Sequence, residues 1–94
     1  MAERLSDISI QRALGTLNGW SRRGDSITKT FQMKAFVDGI ALVQRVAAAA
    51  EAVDHHPDID IRYTKVTFVL STHSAGGITQ MDLDLAGQIE QAAG

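Results

Sequence analysis

All three histidines of the 94-residue chain fall in one short segment, as His55, His56 and His73. Carboxylates lie close to the first two, with Glu51 four residues before His55 and Asp54 directly before it. An imidazole titrates near neutral pH, so it can both donate and accept a proton there. A neighbouring carboxylate favours the charged imidazole and fixes its tautomer. The cluster is therefore typical of a general acid–base site.

The histidine pair on its own also fits a purely structural role or a metal site. A pair at a helix C-terminus is stabilised by the helix dipole without any catalytic role. Histidines beside carboxylates can also bind zinc. Adjacent His55 and His56, stiffened by Pro57, lack the usual spacing of metal ligands, so the sequence predicts no metal site.

The composition excludes several classes of protein. An apolar share of 45% and a charged share of 21% predict an ordinary globular chain, with one domain over residues 1–94. The absence of cysteine excludes disulfides, thiolate nucleophiles and cysteine-type zinc sites. A net charge of −2 argues against a nucleic-acid partner. With neither a long apolar stretch nor a visible signal peptide, we expect a cytoplasmic protein without a membrane partner.

Hydrophobic periodicity predicts the order α-β-β-α-β-β-α. The predicted elements are a helix near 7–17 capped by Ser6, short strands around a Gly24-Asp25 turn, a helix over 35–53, strands from Ile59 to Tyr63 and from Val66 to Thr72, and a last helix capped by Thr79. Strands paired between helices predict an α+β fold, with the helices on one face of a four-stranded antiparallel sheet.

These elements position the candidate site. Pro57 prevents the long helix from continuing, so the helix should end at or just before the histidine pair. Glu51 and His55 share a helix face if the helix reaches that far. Lys29 breaks the alternation of its strand and is predicted at a sheet edge. The predicted buried seam of the long helix is Phe36, Ile40, Val43, Ala47 and Ala50.

A spaced motif runs through the same region. Glu51-x-x-x-His55-His56-Pro57, followed by Tyr63, His73 and Asp82, resembles the signature of the pterin-4a-carbinolamine dehydratases. Mammalian members of that family are also called the dimerization cofactor of hepatocyte nuclear factor. The resemblance extends over nearly the whole chain, through Leu5-Ser6, Gly19-Trp20, Phe31, Arg45-Val46-Ala47, Leu70-Ser71-Thr72-His73 and Asp82-x-x-Leu85-Ala86.

The resemblance implies a dehydratase that needs no cofactor. Its substrate is 4a-hydroxytetrahydropterin, left after an aromatic amino acid hydroxylase turns over, and its products are quinonoid dihydropterin and water. The resemblance places this reaction in the recycling of tetrahydrobiopterin and related pterins. It also implies a homo-oligomer, a dimer or tetramer. At 94 residues, the chain is expected to be a complete enzyme subunit.

The resemblance also implies residue roles. His55 and His73 correspond to the acid–base pair, and His56 to a third member of the catalytic set that mainly binds and positions the pterin. Glu51 and Asp54 correspond to orienting carboxylates. The implied substrate-binding residues are Asp54, Ser71, Thr72, Ser74 and Trp20, the last at the pocket edge.

Two other positions of the motif are predicted to be structural. Tyr63 is predicted to serve in packing. Asp82 is predicted to cap the last helix, since it lies three residues after Thr79.

Two alternative functions remain open on the sequence. One is a non-catalytic regulatory or assembly module of the dimerization or coactivator type, because a fold does not determine function. The other is a metal-dependent hydrolase. The complete histidine set favours the dehydratase over the non-catalytic module.

Overall fold

The computed structural model describes residues 3–94. The elements are α1 (Asp7–Leu14), β1 (Ser21–Arg23), β2 (Ser26–Gln32), α2 (Phe36–Val53), β3 (Asp58–Arg62), β4 (Lys65–Leu70), a 3-10 turn (His73–Ala75) and α3 (Gln80–Ala93). The four strands form one antiparallel sheet in the order β1-β2-β4-β3. The predicted α+β fold and its element order are therefore confirmed.

Alternating side chains of β4 define the two faces of the sheet. Val66, Phe68 and Leu70 are fully buried in the core with residues of all three helices, whereas Thr67 and Val69 between them are half-buried. Because successive side chains of a strand point to opposite faces, the helices cover one face of the sheet and leave the other open.

Short polar side chains begin two of the helices as predicted. The Ser6 hydroxyl accepts from the Ser9 N–H at the start of α1, and Thr79 and Asp82 form a capping box at the start of α3. The end of α1 differs, because the helix stops at Leu14 rather than near residue 17. The chain leaves the helix at Gly15, a poor helix former, and the Thr16 hydroxyl donates to the Ala13 carbonyl.

The buried seam of α2 is shifted from the predicted one. Gly39, Leu42, Val46 and Ala50 are buried, whereas Phe36 is 46% exposed. Of the predicted seam, Ala50 is buried, Ile40 and Val43 are half-buried, and Phe36 and Ala47 are exposed. The seam was predicted only in part because α2 is apolar on more than one side, so the periodicity did not select a single stripe. No helix within residues 3–94 is long and apolar enough to cross a membrane.

Lys29 was predicted at a sheet edge. It lies in β2 one residue beyond the last position paired with β1, so only β4 flanks it and the position is locally an edge, with the side chain on the face that meets the helices. Its ammonium lies 2.8 Å from a carboxylate oxygen of Glu90 on α3 and 4.6 Å from the ring centre of Phe31. The ion pair and the cation–π contact thus stabilise a lysine at a position where strand alternation predicts an apolar side chain.

Candidate active site

Asp82 joins two of the segments that the sequence predicts to form the site. Its carboxylate is fully buried at the start of α3. Oδ1 lies 2.6 Å from Nε2 of His55, and Oδ2 accepts from the Thr72 hydroxyl and the Thr79 N–H, each at 2.9 Å. This single side chain therefore links the segment after α2 to the segment after β4.

The end of α2 turns His55 towards the interior. Asp54 caps the helix in the left-handed conformation, at φ 50° and ψ 45°, and the His55 N–H donates to the Ala50 carbonyl. Aspartate is one of the few residues other than glycine that visit this region readily. The helix therefore ends just before the histidine pair, as predicted, and His55 is only 8% exposed.

His56, unlike His55, is exposed. Its Nε2 contacts the Glu51 carboxylate, which is also exposed. The condition for a shared helix face between Glu51 and His55 is not met, because α2 ends at Val53. His55 thus contacts a buried carboxylate, and His56 contacts an exposed one.

His73 is exposed on a short closed loop beside this network. Backbone hydrogen bonds between Thr72 and Gly77 close the loop, and Gly76 ends the 3-10 turn at φ 71°. Since His73 directly follows Thr72, whose hydroxyl contacts Asp82, the loop is anchored to the same carboxylate as His55. His73 therefore follows directly a residue that contacts Asp82, and the exposed Ser74 lies on the same turn.

Two of the three hydroxyls predicted to bind substrate already have protein partners. Ser71 donates to the backbone carbonyl of Asp25, which holds the β1–β2 turn against the end of β4. Thr72 is buried and bonds to both Asp82 and Thr79. Substrate contacts by Ser71 and Thr72 stay predictions, and their hydroxyls have clear structural roles.

Trp20 is not placed beside the histidines. It is 6% exposed in the core, and its indole N–H donates to Glu90 at 3.1 Å. Glu90 lies eight residues after Asp82, about 12 Å further along α3. The predicted pterin contact of Trp20 stays a prediction that this placement does not favour.

Tyr63 also departs from its predicted packing role. It is 76% exposed, and it forms the turn between β3 and β4 at φ 52°. That turn lies at the opposite end of β4 from Thr72 and His73, so Tyr63 neither packs in the core nor reaches the histidines.

The site depends on one contact that the sequence analysis missed. Asp82 was assigned to the helix cap, and the cap is present. A carboxylate has two oxygens, however, and the cap requires only one of them. The second oxygen, within a motif that also contains His55, was the signal for a further partner. Within the described range 3–94, no group of three or more histidine and carboxylate side chains is placed to hold a metal ion.

Comparisons with known proteins identify the family of the chain. The family model described as pterin 4 alpha carbinolamine dehydratase matches residues 3–92. Relatives from Roseiflexus sp. (strain RS-1) and Nocardia farcinica (strain IFM 10152), whose names refer to the same dehydratase, are each 58% identical over 91 residues. These matches cover 97% of this chain, and 98% and 96% of the two relatives.

Two solved structures have the same fold. A crystal structure of a transcriptional coactivator/pterin dehydratase from Brucella melitensis matches with a TM-score of 0.94 and 33% identity, over 98% of this chain and 100% of that one. A pterin dehydratase-like protein identified as a RuBisCO assembly factor in the alpha-carboxysome matches at 0.70 and 22% identity, over 82% and 92%. The second likeness shows the fold alone. The family match and the close relatives confirm the resemblance, and the chain belongs to the pterin-4a-carbinolamine dehydratase family, a family of hydro-lyases.

Proposed function

We propose that the protein removes water from 4a-hydroxytetrahydropterin and forms quinonoid dihydropterin, with His55, His56 and His73 as its catalytic set. The observation that carries the proposal is the buried contact between His55 and Asp82, in a chain matched by the dehydratase family model over residues 3–92. Hydroxide is a poor leaving group, so an acid protonates the 4a-hydroxyl as the carbon–oxygen bond breaks. A base takes the proton from the adjacent ring nitrogen.

Asp82 gives His55 the properties that this reaction needs. A carboxylate only accepts hydrogen bonds, so Nε2 of His55 carries the proton in their contact. Nδ1 is then the nitrogen that can accept a proton from the substrate. A buried carboxylate also stabilises the imidazolium that this transfer forms. Asp82 is therefore proposed as the residue that orients His55.

The exposed histidines complete the set. His73 is held on its short loop and supplies the second acid–base group. His56, fixed by Glu51, binds and positions the pterin, with Asp54 beside it. Ser71, Thr72 and Ser74 are proposed to border the pterin at the end of β4. The reaction moves only protons and water, so side chains of these types can carry it out without a cofactor.

We further propose that the protein acts as a homo-oligomer joined through β3. All five residues of this edge strand are exposed, and Ile59 and Ile61 lie on the same face as the buried side chains of β4. Two copies of β3 paired antiparallel could shield both isoleucines and place Arg62 opposite an aspartate of the second copy. An unpaired edge with apolar side chains favours such pairing.

The family resemblance also supports a metabolic setting. We propose that an aromatic amino acid hydroxylase supplies the carbinolamine, and that both proteins act in the cytoplasm. The test of this link is a coupled assay in which the added protein prevents the carbinolamine from accumulating during hydroxylase turnover.

The dehydratase proposal is tested with the purified wild-type chain. Freshly prepared 4a-hydroxytetrahydropterin is mixed with the protein in a chelating buffer, and quinonoid dihydropterin is followed by absorbance. We expect acceleration over buffer alone, unchanged by the chelator. A folded protein that gives no acceleration would favour a non-catalytic module, and loss of rate on chelation would favour a metal-dependent enzyme.

A further inference from the structure

The chain before α1 lies against the closed loop of residues 72–77 that carries His73. The Leu5 N–H donates to the Ile78 carbonyl at 2.9 Å, which brings the preceding residue, Arg4, beside the loop. The Arg4 guanidinium donates to the Gly76 carbonyl at 3.4 Å, although the two residues are 72 positions apart in the chain. The start of the described chain thus contacts the loop that holds a proposed acid–base group.

The carbon stem of Arg4 makes the closest contact, with Gly77. Gly77 is buried, and a Cβ atom at this position would lie 2.7 Å from Cδ and 3.0 Å from Cγ of Arg4. The backbone of Gly77 is outside the left-handed region, so its conformation does not require glycine. An arginine stem often covers neighbouring surface while its charged end stays in water. Glycine at position 77 therefore leaves the room that the Arg4 stem occupies.

The position of His73 depends on the backbone of this loop. Each of the other two histidines contacts a carboxylate, whereas no side chain in the described part of the chain hydrogen-bonds to the exposed His73 ring. Backbone hydrogen bonds between Thr72 and Gly77 close the loop. The Thr72 end is held by Asp82, and Arg4 covers the Gly77 end. The loop is therefore held by a different side chain at each end.

We propose that Arg4 is a positioning residue for His73, which fixes the imidazole by holding the loop at Gly76 and Gly77. The inference rests on the proposed function, in which His73 is one of the two acid–base groups. A misplacement of about 1 Å can slow a reaction about 10²-fold, so a side chain that fixes the loop can affect the rate without touching the substrate. Loss of the Arg4 side chain should therefore lower kcat more than it raises KM.

Arg4→Ala tests the contact by activity. We expect kcat for 4a-hydroxytetrahydropterin to fall by about 5- to 50-fold, with KM within about 2-fold of wild type, because only the position of His73 changes. Arg4→Lys keeps a carbon stem and a donor, so it should retain most of the wild-type kcat. Arg12→Ala removes an exposed arginine of α1 and is the matched control, with wild-type kinetics expected. Wild-type kcat in Arg4→Ala would contradict the proposal.

Gly77→Ala tests the same contact from the other side. The added methyl group should displace the exposed Arg4 side chain towards water and lower kcat by a similar factor. The three atoms nearest to that methyl group all belong to Arg4, so Gly77→Ala should lower kcat no further in a chain that already carries Arg4→Ala. Losses that multiply in the double variant would show two independent effects and would overturn the proposal.

A third measurement does not depend on turnover. The chain has three histidines, so NMR can follow each imidazole, with the signals assigned from single histidine variants. Arg4→Ala and Gly77→Ala should change the ring signals of His73 and leave those of His55 in place. Unchanged His73 signals, or equal changes at all three rings, would rule out a specific effect on the loop. A wild type without turnover would overturn the dehydratase, and the imidazole signals would still decide whether Arg4 holds His73.

Discussion

Asp82 uses its two oxygens for two different purposes. Oδ1 lies 2.6 Å from Nε2 of His55, and Oδ2 accepts the Thr79 N–H that begins α3. One buried carboxylate therefore both starts a helix and orients the proposed acid–base histidine. The geometry of the site and the start of α3 are coupled through this side chain.

Replacing Asp82 with asparagine should separate the effect of Asp82 on His55 from its effect on the start of α3. The asparagine carbonyl can still accept one hydrogen bond, but the amide no longer stabilises an imidazolium or fixes the tautomer of His55. We expect kcat to fall by about 10²- to 10⁴-fold, the range of general acid–base catalysis, with a smaller change in KM. Steady-state dehydration kinetics and a thermal unfolding curve on the same preparation measure both effects.

Thr79→Ala is the matched control for this variant. It removes the hydroxyl of the capping box and costs about 1 kcal/mol of stability, but it leaves the contact between Asp82 and His55 in place. A Thr79→Ala protein that loses as much kcat as Asp82→Asn would show that destabilisation alone explains both.

Glu51→Gln tests the role of the exposed pair. Glu51 fixes His56 at the surface, where ion pairs contribute little to stability. We therefore expect a several-fold higher KM for the pterin, an unchanged melting temperature, and kcat within about 2-fold of wild type. A loss of kcat similar to that of His55→Ala would instead place His56 in the proton transfers.

Ile61→Lys tests the proposed interface. A charge on the helix-facing side of β3 opposes pairing of two copies of this edge. We predict a shift towards monomer in light scattering at micromolar concentration, while the far-UV circular dichroism is unchanged. Ser21→Lys, on the opposite edge strand β1, should keep the wild-type mass. The reverse pattern would move the interface to β1, and a monomeric wild type would exclude the oligomer.

Phe68→Ala tests the packing of the core. Phe68 is fully buried on β4 and meets Phe31 edge to face, with the ring centres 5.8 Å apart. Removing the ring leaves a cavity and should lower the free energy of unfolding by about 3–5 kcal/mol in a denaturant titration. Val69→Ala, half-buried on the other face of the same strand, should cost clearly less. Equal losses would contradict the assignment of the two faces.

Local sequence patterns correctly predicted the structural features that are set by residues close together in the chain. Strand alternation, the Ser6 and Thr79 caps, and the termination of α2 before Pro57 all follow from neighbours within a few residues. The contact between His55 and Asp82 spans 27 positions, so periodicity could not show it. The ion pair between Lys29 and Glu90 was missed for the same reason, since the two residues lie 61 positions apart.

The α2 seam was mispredicted for a different physical reason. The seam of α2 was ambiguous because the helix is apolar on more than one side. The pterin contact of Trp20 was expected from the resemblance alone and stays a prediction, and in the structure its indole N–H donates to Glu90 within the core. A buried tryptophan needs such a partner, and the sequence does not reveal which group supplies it.

The central claim is that His55 and His73 carry the proton transfers of a dehydration. Its most direct test is the rate at which wild type, His55→Ala and His73→Ala convert 4a-hydroxytetrahydropterin in a chelating buffer, with the spontaneous rate subtracted. We predict that the wild type accelerates the reaction and that each variant is about 10- to 10⁴-fold slower, with the fold retained. Wild-type rates in both variants, or no acceleration by the wild type, would contradict the claim.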